Sequence, residues 1–159
     1  MTHNKSYLSP KIALYEPDIP QNTAAIVRTC SCLGAILEII KPCGFMINDK
    51  RFKRIVMDYI DMKNIKFYEN YNIFFSSKKK NKERVILMTT KADISYTSFK
   101  FKKNDTILFG RESAGVPDFV HENVDSRLKI PLKAHKRSLN IASSVAIVLA
   151  ESLRQNKII

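Results

Sequence analysis

The residues able to do chemistry fall in four short segments of this 159-residue chain: Glu16–Asn22, Thr89–Lys91, Gly110–Pro117 and Pro131–Ser138. Arg28 lies just beyond the first. In a helix its neighbours three and four positions away are Ala24, Ala25, Ser31 and Cys32, all small. That leaves room for a phosphate or backbone to reach the guanidinium, whose planar fork suits oxyanions. Gly110 and Gly115 have the spacing of a phosphate loop, but Val116-Pro117 stands where a lysine and a hydroxyl are required. No G-x-G-x-x-G occurs, so nucleotide hydrolysis and the usual dinucleotide turn are both excluded. Histidines at 3, 121 and 135 form no H-E-x-x-H, and no metal site is expected. His121 and His135 read as surface histidines. Ser138 reads as the N-cap of a final helix, with backbone N–H groups turned into the basic loop before it.

Elements that could position these residues alternate along the chain. Strands are expected at Lys11–Tyr15, Ala35–Ile40, Ile65–Tyr68, Arg84–Thr89 and Thr106–Phe109, with another ending before the Ile130-Pro131 step. Asn22 or Thr23 would cap a helix ending at Leu33, with Gly34 as its stop. Asn48 or Asp49 would start a basic helix to about Tyr59. Tyr71–Ser77 reads as a helix, Lys78–Lys82 as a charged connection and Asp118–Glu122 as a short helix. Ala92–Asn104 has period-two character without a clear assignment. The alternation predicts an α/β fold with a mostly parallel sheet, whose ligands sit outside the carboxyl ends of the strands.

The final helix is apolar over a wide arc. Ile141, Ala142, Val145, Ala146, Val148, Leu149 and Leu153 span about 160°, where a surface helix needs little more than about 100°. Asn140, Ser144 and Glu151 form the polar strip. A helix that is to be dry on two sides predicts a partner subunit.

The composition narrows the class further. One domain spanning 1–159 is expected, with 1–10 as an arm and no appended RNA-binding domain. A 45% hydrophobic content is enough for a real core. No apolar run reaches the ~18 residues of a membrane span, and the first residues lack a signal segment, so a cytoplasmic protein is expected. Cys30, Cys32 and Cys43 fit neither a zinc knuckle nor a redox pair and read as packed, reduced thiols. Net charge is +12, concentrated in residues 41–104, which hold 16 Lys/Arg against 6 Asp/Glu. Such an excess points to a polyanion, nucleic acid before membrane.

Three segments together carry a resemblance. Leu14-Tyr15-Glu16-Pro17-Asp18-Ile19-Pro20-Gln21-Asn22-Thr23 with Arg28 is similar to the first motif of the SPOUT methyltransferases. Leu108-Phe109-Gly110-Arg111-Glu112-Ser113-Ala114-Gly115-Val116-Pro117 is similar to the second. Ile130-Pro131 through Ser138-Leu139-Asn140 is similar to the third. Within that superfamily the chain most resembles the enzymes that methylate the ribose of the tRNA wobble nucleotide. The resemblance implies a carboxyl-terminal deep trefoil knot, S-adenosylmethionine as methyl donor, tRNA as substrate and a homodimer. It puts donor contacts on Met88, Gly110, Ile130 and Ser138, and catalysis on Arg28 and Asn22. Glu112 and Asn140 would touch substrate or shape the loops. Arginine keeps its proton at ordinary pH, so Arg28 would anchor phosphate and stabilise a developing alkoxide rather than act as base. Two departures stand out: Ala24-Ala25 where relatives often have glycine and asparagine, and Arg111 where proline is common. A ribosomal-RNA 2′-O-methyltransferase and a non-catalytic RNA-binding protein of the same fold are the rival readings.

Overall fold

The computed structural model describes residues 9–57 and 64–159. Seven strands form one sheet: β1 Lys11–Tyr15, β2 Ile36–Ile40, β3 Ile65–Tyr68, β4 Val85–Met88, β5 Ile94–Ser95, β6 Thr106–Phe109 and β7 Ser126–Lys129. Their order is β3-β2-β1-β6-β4-β7-β5, and every named pairing is parallel. Five helices connect them: α1 Pro20–Leu33, α2 Lys50–Met57, α3 Tyr71–Lys80, α4 Asp118–Asn123 and α5 Ile141–Gln155. Strands β4 and β6 are buried at all four residues, as a sheet covered on both faces requires.

Alternate strand residues feed two cores. Ile12, Leu14, Ile86, Ile107 and Phe109 face α1, α2 and α5 through Val27, Phe52, Val145 and Leu149. Ala13, Tyr15, Leu87 and Leu108 face α3 and α4 through Tyr71, Phe74 and Val120.

Several sequence expectations need correction. Helix α1 begins at Pro20, with Ile19 in the cap position and no side-chain cap; neither Asn22 nor Thr23 caps it. Proline's fixed φ and missing N–H suit the first helical position. Gly34 does close the helix in the left-handed region, at φ 71°. Residues 78–80 belong to α3 rather than to a connection. Residues 92–104 hold the two-residue β5 and a single 3₁₀ turn, Tyr96–Ser98. Cys30 is buried but Cys32 is exposed, so not all the thiols are packed. Pro10 is buried and its carbonyl accepts the Ile36 N–H at 2.9 Å, so an arm cannot extend through it. The rest of that arm and the expected helix end near Tyr59 lie outside the described residues.

Lys78 was hard to place from sequence because it is 2% exposed. Its Nζ donates to Glu38 Oε1 at 2.8 Å and Glu83 Oε2 at 2.9 Å, and Lys11 Nζ joins Glu83 at 3.2 Å. The Tyr68 hydroxyl also donates to Glu38. Removing one partner of such a pair leaves a buried charge without compensation. Lys78→Ala is expected to cost about 3–5 kcal/mol, and Lys78→Met with Glu38→Leu to recover most of it, by urea denaturation.

Candidate active site

Parallel strands turn all their carboxyl ends one way, and the loops following β1, β4, β6 and β7 gather there. They enclose a cavity of about 590 Å³, within the range of small-molecule sites. Met88, Gly110, Ile130 and Ser138 line it, as do Asn22, Glu112 and Asn140. Arg28 does not: it is exposed on α1, with buried Ala24 and exposed Ala25 beside it.

The loop after β6 is a tight closure. Arg111 and Gly115 exchange two backbone hydrogen bonds, at 3.1 and 2.9 Å. A Cβ on Gly110 would come within 2.7 Å of the Gly115 backbone, so only glycine fits there. This loop is tied to the one after β1. The Arg111 guanidinium pairs with Glu16 and lies 5.4 Å from the Tyr15 ring centre. The Ser113 hydroxyl donates to Asp18. Asp18 N–H donates to Glu112 Oε2 at 3.1 Å, and Asn22 Nδ2 donates to Glu112 Oε1 at 3.4 Å.

Asn22 then reaches the third segment. Its Oδ1 accepts from Asn140 Nδ2 at 3.0 Å, while Asn140 Oδ1 accepts from the N–H groups of Ala142 and Ser143. Asn140 is therefore the N-cap of α5, two residues later than expected. Ser138 is not a cap; it is an exposed loop residue in the cavity wall. An asparagine does both jobs because its amide has an acceptor for the helix and a donor for a neighbour.

Electrostatics sharpen the relay. The hydrogen bond from Glu112 holds the Asp18 carboxyl below its ordinary value. Burial, and then the same bond to Asp18, pushes Glu112 up. Asp18 thus keeps its charge while Glu112 keeps its proton longer. His121, expected at the surface, is half-buried and lines the cavity. Burial first, then Lys91 and Arg127, pushes its ring down. Among the described residues no group of three or more His, Cys, Asp or Glu could hold a metal ion. No helix among them is long and apolar enough to cross a membrane.

The sequence motifs named most of this wall. They gave no sign of the Glu16–Arg111 clasp, the Asn22–Asn140 bond or the place of His121. Those depend on which loops the sheet order makes adjacent.

Removal of the α5 cap by Asn140→Ala is expected to cost about 1 kcal/mol. Asn140→Asp keeps the capping oxygen and should restore that stability while losing the donor to Asn22. Thermal unfolding of the two variants checks both halves.

Known proteins resemble this chain in sequence and fold. The SpoU rRNA Methylase family matches residues 9–150. The tRNA (cytidine(34)-2′-O)-methyltransferase of Beijerinckia indica subsp. indica is 45% identical over 144 residues, 91% of this chain and 90% of that protein. Its namesake in Escherichia coli (strain K12) is 33% identical over 146 residues, 91% of this chain and 92% of that protein. A solved structure described as "Structural insights into the 2-OH methylation of C/U34 on tRNA" superposes with a TM-score of 0.88 at 31% identity. It covers 95% of this chain and 98% of its own. With matched residues running through all three loop segments and the helix they cap, the chain belongs to the SpoU rRNA Methylase family.

Proposed function

We propose that this protein transfers a methyl group from S-adenosylmethionine to the ribose 2′-hydroxyl of nucleotide 34 of tRNA, a cytidine or a modified uridine. The observation that carries the reading is the single cavity in which Met88, Gly110, Ile130 and Ser138 meet the relay Glu112–Asn22–Asn140. Relatives named for methylation at cytidine 34 favour tRNA over ribosomal RNA.

The wall suits a nucleoside donor. Met88 and Ile130 offer apolar surface for the faces of an adenine, and Ser138 offers a hydroxyl. The tight turn at Gly110 presents backbone rather than side chain at the wall. Bound there, the donor supplies an electrophilic methyl group on sulfur. The chain's part is to hold the ribose hydroxyl in line and exclude water, and positioning of that kind is worth about 7–11 kcal/mol. Asn22, locked between Glu112 and Asn140, is the orienting residue of this reading. Arg28 anchors a phosphate and stabilises the developing alkoxide. Since it stands outside the cavity of its own chain, we assign that role to a neighbouring copy in a homodimer. Ile19, Leu139 and Ile147 are 41%, 42% and 37% exposed and would be covered by that copy.

Other parts of the reading follow from the resemblance. The described residues form one domain, and β7 lies between β4 and β5 although it is the last strand in the chain. That placement supports a carboxyl-terminal segment threaded as a deep trefoil knot. Exposed Lys50, Arg51, Lys53 and Arg54 on α2, with Lys133, Lys136 and Arg137, offer phosphate contacts for an RNA. A tRNA substrate calls for a cytoplasmic enzyme.

Incubation with tRNA and donor, followed by mass spectrometry of the nucleosides, is expected to find a 2′-O-methyl group at position 34. A methyl group found in ribosomal RNA, or in neither RNA, would overturn the reading. Arg28→Ala is expected to abolish transfer while leaving donor affinity within about twofold on this assignment. RNA affinity should fall steeply with salt, since phosphate contacts release counterions.

A further inference from the structure

Lys91 and His121 line the cavity but take no part in the relay. Lys91 follows β4 in a turn held by two bonds: its own N–H to Thr89 Oγ1 at 3.2 Å, and Ala92 N–H to the Thr89 carbonyl at 3.3 Å. The ammonium is therefore carried on a fixed backbone with its side chain exposed. His121 comes from α4, on the far side of the Gly110–Pro117 loop.

The histidine ring has a forced polarity. Its Nδ1 is buried and has no hydrogen-bond partner among the described residues. A proton on that nitrogen would be buried without an acceptor, so it sits on Nε2. His121 then carries its N–H donor on Nε2, across the ring from the buried nitrogen. Burial, Lys91 and Arg127 all hold the ring neutral, and Asp118 alone among the acting charges works the other way. The same facts place two cations, Lys91 and Arg127, around one N–H donor. Two cations against one carboxylate leave this corner with an excess of positive charge.

We propose that Lys91 and His121 form an oxyanion subsite at one end of the cavity, taking a carboxylate or a phosphate. Two sources supply that chemistry: the amino-acid tail of the methyl donor and the backbone of the RNA. The proposal rests on the methyl-transfer reading and names part of how that site is filled.

Isothermal titration separates the sources. The probes are S-adenosylhomocysteine, 5′-methylthioadenosine, which lacks the amino-acid tail, and an RNA anticodon stem-loop. The variants are Lys91→Met and His121→Leu, with His121→Gln to return an N–H near the Nε2 position, each checked for an unchanged melting temperature. A loss of about tenfold or more for S-adenosylhomocysteine, with methylthioadenosine unchanged and His121→Gln restoring affinity, supports the subsite with the donor carboxylate as its occupant. A loss confined to the stem-loop, with a shallower salt dependence, supports it with a phosphate. Equal losses for both nucleosides mean a disturbed nucleoside pocket and overturn the subsite, as do three unchanged affinities. If the unaltered protein binds none of the three, the methyl-transfer reading falls first and the subsite with it.

Discussion

Asn22 has one way to be satisfied, and the site is arranged around it. Asn140 must keep its carbonyl oxygen for the first N–H groups of α5, so only its amide nitrogen can turn outward. Asn22 must then offer its own oxygen to Asn140, which leaves its nitrogen for Glu112. The polarity of the whole relay follows from one helix cap. Two bonds thereby join residues 90 and 118 positions apart in the chain. Because each member has its partner already, the wall is set before any ligand arrives, and pre-set geometry is what a positioning mechanism needs.

The sheet makes this possible by fixing both of its ends. At the carboxyl ends, the relay and the Glu16–Arg111 pair bind the loops after β1, β6 and β7 into one wall. Toward the amino ends, the buried Lys78 network joins the last turn of α3 to β2 and to the approaches of β1 and β4. Between them runs β4, apolar at every residue, beside β6, apolar after Thr106. Polar chemistry gathers at the rims, with Glu38 in the middle of β2 as the exception that Lys78 of α3 must meet. A parallel sheet offers few other places for it, since its faces are covered by helices.

This division explains what could be read from the chain. Continuous apolar runs such as Val85–Met88 and Ile107–Phe109 signal buried strands without any tertiary knowledge. Gly34 signals a helix stop by local sterics alone. Local rules failed where tertiary partners decide. Lys78 looks like solvated connection until Glu38, 40 residues away in sequence, is seen beneath it. Ser138 is as good a cap by type as Asn140; the cap falls to Asn140, whose amide also reaches Asn22 across the chain. Asn22 itself was passed over as a cap because Pro20 had already begun the helix. The residues that the family resemblance named all line one cavity except Arg28.

Arg28 is the informative exception. It follows Asn22 by six residues on the same helix, which sets the two side chains about 120° apart at 100° per residue. Asn22 lines the cavity, whereas Arg28 is exposed and lies outside it. In the proposed homodimer, each chain would lend its arginine to the cavity of the other. The final helix fits that arrangement from its own side. Val145, Val148, Leu149 and Leu153 are spent on the core of their own chain, while Ile141, Ala142 and Ala146 stay half-buried and Ile147 is exposed. An apolar arc of about 160°, wider than one core requires, and an arginine outside its own cavity are the two features on which the proposed homodimer rests.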